Sequence, residues 1–541
     1  MNLNIGKLKH IARFAMTVVV VIAVFAGGLL QIGYGERDVW AQEQESITAS
    51  KKDEKESRAE FYKLEDRGIY SYFTNYVDGY SIQIDKDMKV DMSNSAVCAV
   101  LENPNKRIEI YKQYVGANGT AAYINYSNSF LKNTADHNLE YKGFQQVGNT
   151  RAHITAWSRN KLARVKNDKN YYLIIDIPKD KYVYTIFMKM NQPNYMLGGY
   201  IYLIDQFNTF APTVQGEIRA TKVVEKHDWN EETLKAYNNI FYENPKVSWG
   251  VFQPQAAHFD YSKLHYYEQE MNYKFPIMLS YTDFKTRNGY EEVGMEISAI
   301  LKNAEQRGKI VELTLQTNWQ DGGNMVYDVL QGRYDNFLNR YAKVVAQFSH
   351  PVMLRLGNEM NGDWCPYSSF NTSRDTVVFK EFYKYIFEIF KKNGAKNVMW
   401  VWNPNGQSFP NYKWNEDVMY YPGDEYVDII GLTAYNTGTY YYSHGERWQS
   451  FNELYRPIYD RYCTLFNQPF MITEFSCASH GGDKNAWIRD AFVSIKNYQR
   501  IRAAVWWDGA DFDPSNGNVA RSYYIDETPA IVQTFRENLN K

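Results

Sequence analysis

Eight short apolar runs follow one another through residues 245–541, at 247–252, 276–281, 311–317, 352–356, 398–402, 427–432, 470–472 and 503–506. Amphipathic helical patterns, for example at 336–347, 379–392 and 486–498, separate most of them. A strand that is apolar on both faces belongs in a parallel sheet covered by helices. Eight such strand and helix units in one stretch predict a closed (β/α)8 barrel rather than an open sheet.

A chain of 541 residues exceeds one barrel, so further domains are expected. Residues 60–220 read differently, with alternating strands at 80–84, 107–111, 172–177 and 181–187 and a helical pattern at 121–138. They predict an α+β, mostly antiparallel accessory domain. Residues 221–244 read as a linker. Residues 42–59 are charged and lack apolar periodicity, as a tether does. Ahead of them Lys7, Lys9 and Arg13 precede an apolar stretch from Phe14 to Ile32, long enough to cross a bilayer. Residues 1–41 are therefore expected to be a signal peptide or a membrane anchor, both readings open, with the rest of the chain extracellular or at the cell surface.

In barrels of this kind chemistry sits where the strands end. The fourth run ends in Arg355-Leu356-Gly357-Asn358-Glu359-Met360-Asn361-Gly362, and the seventh in Thr473-Glu474-Phe475. Strands four and seven face each other across a barrel mouth, so Glu359 and Glu474 form a candidate carboxyl pair. Glycoside hydrolysis needs such a pair: one acid protonates the leaving oxygen and one carboxylate attacks or activates water. A separation of about 5 to 5.5 Å would serve retention, and roughly 6.5 to 9.5 Å inversion. Arg355 is placed to hold a carboxylate ionised. Aromatic residues make up 16% of the chain, and rings with polar tips suit sugar faces as well as cores.

The barrel region resembles glycoside hydrolase family 26, whose best-known members are endo-β-1,4-mannanases, within a clan of retaining (β/α)8 glycosidases. The residues that carry the resemblance are Gly332-Arg333-Tyr334-Asp335, Arg355 ahead of Glu359-Met360-Asn361-Gly362 with Trp364, Tyr421-Pro422-Gly423-Asp424 through Gly431, and Thr473-Glu474-Phe475. The resemblance implies that Glu359 is the acid/base and Glu474 the nucleophile. It implies that Tyr435 hydrogen-bonds the nucleophile, and that Arg355, Trp364 and Trp506 belong to the sugar site, with Trp402 and Trp507 weaker candidates. Asn358 stands where the family carries histidine. The wider clan has asparagine there, contacting the sugar's 2-hydroxyl, so the choice of sugar is open at this position.

The expected function is thus an exported glycosidase acting on β-linked polysaccharide with retention, mannanase-like. The alternatives are a β-glucanase or xylanase, an enzyme that processes its producer's own exopolysaccharide, and a non-catalytic polysaccharide-binding protein. A net charge of -2 argues against a nucleic-acid partner. Neither a metal-ligand spacing among the nine histidines nor a phosphate-cradling glycine loop occurs, so no cofactor and no metal are expected. Cys365 and Cys477 each follow one of the two glutamates, a spacing that allows a bridge across the mouth. His480, Asp508 and Asp511 also follow late strands, but a loop histidine and helix-capping carboxylates account for them without a site.

Overall fold

The barrel strands close because each apolar run pairs with the next in parallel and the eighth returns to the first. In the computed structural model they are Ser248–Phe252, Ile277–Asp283, Ile310–Gln316, Val352–Leu356, Val398–Trp402, Ile429–Thr433, Phe470–Phe475 and Ile501–Trp507. The structure describes residues 60–147, 149–193, 201–221, 227–284, 290–320 and 322–541. The expected signal or anchor at 1–41 and the tether at 42–59 lie outside them. Among the described residues no helix is long and apolar enough to cross a membrane.

Alternate residues of each strand divide the apolar load. Leu279, Met353, Met399, Val401, Ile429, Met471, Ala503 and Val505 fill the barrel interior. Their neighbours Leu354, Trp400, Trp402, Ile430, Ile472, Ala504 and Trp506 pack outward against the helices. The floor is closed by residues within the stretch read as a linker. Helix Glu231–Asn238 starts at Asn230, whose side chain accepts from Thr233 N–H, and runs into the turn Asn239–Glu243. From these, Tyr237, Ile240 and Phe241 join the interior cluster. They enter from the end opposite the candidate site and shut off solvent beneath it.

The accessory domain has a seven-stranded antiparallel sheet in the order Lys89–Asp91, Ala99–Glu102, Lys106–Tyr114, Tyr182–Met190, Tyr171–Lys179, Thr150–Ser158, Asn138–Val147. Its period-two pattern feeds two separate cores. Leu173, Ile175, Tyr184 and Ile186 face a second, four-stranded sheet. Tyr172, Ile174, Val183 and Phe187 face the other way, onto Tyr123, Ile124 and the barrel-loop residues Trp414 and Met419. The helix expected at 121–138 is shorter, Thr120–Ser127 followed by a 3-10 turn Ser129–Lys132. It stops at Asn128, and the polar residues after it turn the chain into the next strand.

Buried charge locks this second core to the barrel. Lys189 donates to Glu109 at 2.9 Å and to Asp375 at 2.6 Å, with all three side chains at most 5% exposed. Asp375 also caps helix Thr376–Lys392 and accepts from Tyr172 at 3.1 Å. His137 reaches Tyr327 and Ser373 of the barrel loops at 3.1 Å each, and burial pushes its imidazole down to about 4, so it bonds as a neutral ring at pH 7.

Removing one member of a buried ion group strands the others. Lys189→Met is therefore expected to destabilise the protein by about 3 kcal/mol or more in urea unfolding. Lys86→Met, at the exposed pair with Asp66, should change it by less than about 1 kcal/mol.

Candidate active site

The fourth strand ends in a turn that only some residues can make. Gly357 has φ +58°, and a Cβ there would meet the Phe379 ring at 2.9 Å, so glycine is required. Two residues on, Glu359 also lies in the left-handed region, with φ +54°. Its N–H donates to Asn403 O at 2.7 Å, tying the turn to the end of the fifth strand. A non-glycine residue held in this region is strained unless its surroundings fix it. Here the surroundings aim the Glu359 carboxyl at the mouth. Oε1 accepts from Asn405 Nδ2 at 3.0 Å and Oε2 from Trp364 Nε1 at 3.2 Å. Burial, followed by the proximity of Glu474, pushes the Glu359 carboxyl up to about 7, while Trp364, Arg355 and Asn405 pull the other way.

Glu474 arrives from the seventh strand through an irregularity. Its pairing register slips between Ile472 and Phe475. Successive residues then both find partners at the barrel mouth: the Thr473 hydroxyl meets that of Thr433 at 2.9 Å, and Glu474 meets Tyr281 and Arg355. Glu474 is 5% exposed. Its Oε2 accepts from the Tyr281 hydroxyl, and from Arg355 Nη2 at 3.4 Å.

Arg355 is fully buried and spends its fork on the barrel interior. Nε donates to Thr314 Oγ1 at 2.8 Å and Nη1 to Asn403 Oδ1 at 3.2 Å. Its guanidinium carbon lies 5.5 Å from the centre of the Tyr281 ring. On its other side Glu312 Oε1 stands 3.3 Å from Nε. Glu312 is fully buried, and neither of its oxygens accepts a hydrogen bond from the described residues. Burial pushes its carboxyl up to about 8, so Glu312 is neutral at pH 7. Of the two carboxyls, Glu474 is the one that accepts a hydrogen bond from Arg355.

The structure thus brings Arg355, Glu359, Trp364 and Glu474 together. Asn358 is beside them; its Oδ1 accepts from Tyr367 at 3.1 Å, which leaves its amide hydrogens as the group it can offer a ligand. Tyr435 lies near the mouth, packed on Tyr523 and Trp507 at 5.4 and 6.4 Å, but the hydroxyl that donates to Glu474 belongs to Tyr281. Trp506 does not line the mouth. It is 2% exposed, donates to Tyr523 O at 3.0 Å and packs on Phe475 and Phe535 in the outer core. Its neighbour Trp507 faces inward, stacked on Phe252 at 5.4 Å, because one step along a strand reverses the face. Trp402 is also outer core, against Tyr421, Tyr462 and Phe466.

The bridge between Cys365 and Cys477 is not formed; both thiols are free. They point to different partners, Cys365 to Asn358 O and Cys477 to Asn436. Asp508 is buried on Tyr267 and the Ile525 N–H, and Asp511 pairs with Arg521, so neither carboxylate caps a helix. Among the described residues no cluster of His, Cys, Asp or Glu could hold a metal ion.

Sequence reasoning missed Tyr281, Glu312, Asn403 and Asn405. Tyr281 and Glu312 had a signal, each being polar at an inward position of an apolar strand. The two asparagines had none, since their role depends on how the fifth strand's loop crosses the fourth.

Residues 297–474 match the sequence profile of Glycosyl hydrolase family 26, a span that contains both glutamates. This stretch of the barrel is similar to the family 26 glycosyl hydrolases. Endoglucanase H of Acetivibrio thermocellus is 32% identical over 228 residues, 41% of this chain and 24% of that protein. A mannan endo-1,4-beta-mannosidase of Bacillus subtilis is 27% identical over 203 residues, 36% of this chain and 49% of that protein. The chain thus spans about a quarter of the first relative and about half of the second. Among solved structures, a Cellulomonas fimi endo-beta-1,4-mannanase double mutant is 15% identical with a TM-score of 0.43, over 58% of this chain and 75% of that one.

Infrared difference spectra of wild type against Glu359→Gln should show a carboxyl band titrating near pH 7. Trp364→Phe removes a donor that favours the ionised form, so the midpoint should rise.

Proposed function

We propose that this protein is a retaining glycoside hydrolase that cleaves β-linked polysaccharide within the chain, with β-1,4-mannan or glucomannan as the leading substrate. The observation that carries the proposal is the contrast between the two glutamates. Glu359 sits where burial keeps a proton on it near neutral pH, whereas Glu474 is held by a guanidinium and a tyrosine hydroxyl. Two carboxyls in such different environments suit the separate roles of acid and nucleophile.

The reaction then runs in two displacements. Glu359 gives its proton to the glycosidic oxygen as the Glu474 carboxylate bonds to the anomeric carbon and the aglycone leaves. Glu359, now ionised, takes a proton from water, whose oxygen attacks the same carbon and releases Glu474. Arg355 and Tyr281 orient Glu474 for attack, and Trp364 and Asn405 fix the Glu359 carboxyl in both steps. The names of the relatives, an endoglucanase and a mannan endo-1,4-beta-mannosidase, support a polymeric β-linked substrate. Asn358 keeps β-glucan among the candidates, since it offers an amide beside the site. The same proposal has the enzyme act outside the cell; the apolar stretch behind Lys7, Lys9 and Arg13 supports export.

Product analysis on mannan, glucomannan, mixed-linkage glucan, xylan and the producer's own exopolysaccharide tests this reading. We expect new reducing ends from a β-mannan or β-glucan. Glu359→Gln and Glu474→Ala should each lower turnover by about 10³-fold or more, as removal of a reacting group does. Full activity in either variant would refute the roles. The acid must carry its proton, so kcat/KM should fall as pH rises through about 7, and Trp364→Phe should move that limb upward.

A further inference from the structure

The glycosidase reading fixes which side of the site is which. The nucleophile faces the anomeric carbon, and the acid faces the oxygen that departs with the aglycone. A surface that continues from Glu359 away from Glu474 therefore receives the leaving-group sugars. In this protein the barrel does not build that surface alone.

Trp364, the donor to Glu359, packs on Phe409 with ring centres 5.4 Å apart. Phe409 is 37% exposed, yet its loop is firmly held. Its N–H donates to Asn361 O at 2.9 Å, and Asn415 Nδ2 donates to Asn361 O at 2.8 Å and to Pro410 O at 3.1 Å. A large ring fixed in position and left open beside an acid has the form of a platform for a sugar face.

The accessory domain continues this surface. Asp363, directly before Trp364, accepts from the hydroxyl of Tyr126 on helix Thr120–Ser127. Tyr126 in turn lies 6.4 Å from Tyr412, edge to face, and 5.0 Å from Phe370. Tyr126, Asp363 and Tyr412 all keep part of their surface open to solvent. The helix is pinned where it stands: Trp414 Nε1 donates to Ser127 Oγ at 3.2 Å, and the Asn324 N–H, in the loop after the third strand, donates to Asp136 at 2.5 Å. The accessory domain therefore meets the barrel on the end that carries the two glutamates.

We propose that the accessory domain is a wall of the catalytic cleft, and that Tyr126, Asp363, Phe409 and Tyr412 form a joint subsite for the leaving-group sugars of a β-linked polysaccharide. The rings take the apolar sugar faces, and the Asp363 and Tyr126 pair takes hydroxyls. This makes the domain part of substrate selection rather than a separately tethered binding module.

The test uses the full chain carrying Phe409→Ala or Tyr126→Ala, with Tyr126→Phe as a variant that keeps the ring packing. Each is assayed on glucomannan and on a nitrophenyl β-mannobioside or β-cellobioside, whose leaving group is too short to span the subsite. Each is also titrated calorimetrically with manno- and gluco-oligosaccharides up to hexaose. We expect kcat/KM on the polysaccharide and affinity for the hexaose to fall by about tenfold in Phe409→Ala, as loss of a stacked ring does, while aryl glycoside turnover stays within about twofold. Equal losses on both substrates, or unchanged hexaose affinity in all three variants, would overturn the subsite. If wild type turns over neither substrate, the glycosidase reading fails on its own, and the titrations alone decide whether the subsite exists.

Discussion

A single guanidinium, that of Arg355, lies fully buried inside the barrel, and the site is arranged around it. An isolated charge in such a place costs several kcal/mol. It persists because three strands supply partners: Thr314 and Glu312 from the third, Asn403 after the fifth, and Glu474 from the seventh. This constraint explains the sharing of charge. Burial pushes the Glu312 carboxyl up to about 8 and so keeps it protonated beside the cation at neutral pH. Glu474 accepts a hydrogen bond from Arg355, and burial, followed by the proximity of Glu474, pushes the Glu359 carboxyl up to about 7.

The same physics joins the two domains. Glu109, Lys189 and Asp375 form a second buried ion group, and Asp375 also caps the helix that follows the fourth-strand loop. That loop carries Glu359, Trp364 and Asp363. Glu359 and the buried Asp375 therefore stand at the two ends of one connection, between the fourth strand and the helix Thr376–Lys392.

The barrel was legible in the sequence because its strands are apolar on both faces, a pattern that helices and edge strands do not produce. Glu359, Glu474 and Arg355 were legible as polar residues at the ends of such runs. What failed depended on register. Trp506 and Trp507 are adjacent, and composition cannot tell which faces inward until the pairing of the eighth strand is known. Tyr281 rather than Tyr435 hydrogen-bonds Glu474, and the seventh strand that carries Glu474 has a register irregularity without a sequence mark here. The helix at Thr120–Ser127 ended early because several polar residues after it offer turn chemistry as good as helix. The floor of the barrel, from Tyr237, Ile240 and Phe241, read as linker because its apolar residues are few and find their partners only across the closed sheet.

The proposed double displacement requires that Glu474 form the covalent bond. Mass spectrometry of the protein after incubation with an activated 2-deoxy-2-fluoro-β-glycoside, which slows hydrolysis of a glycosyl intermediate, tests it directly. One sugar adduct is expected, mapped by peptide digestion to Glu474. Turnover with inverted anomeric configuration, or an adduct mapped to Glu359, would contradict it.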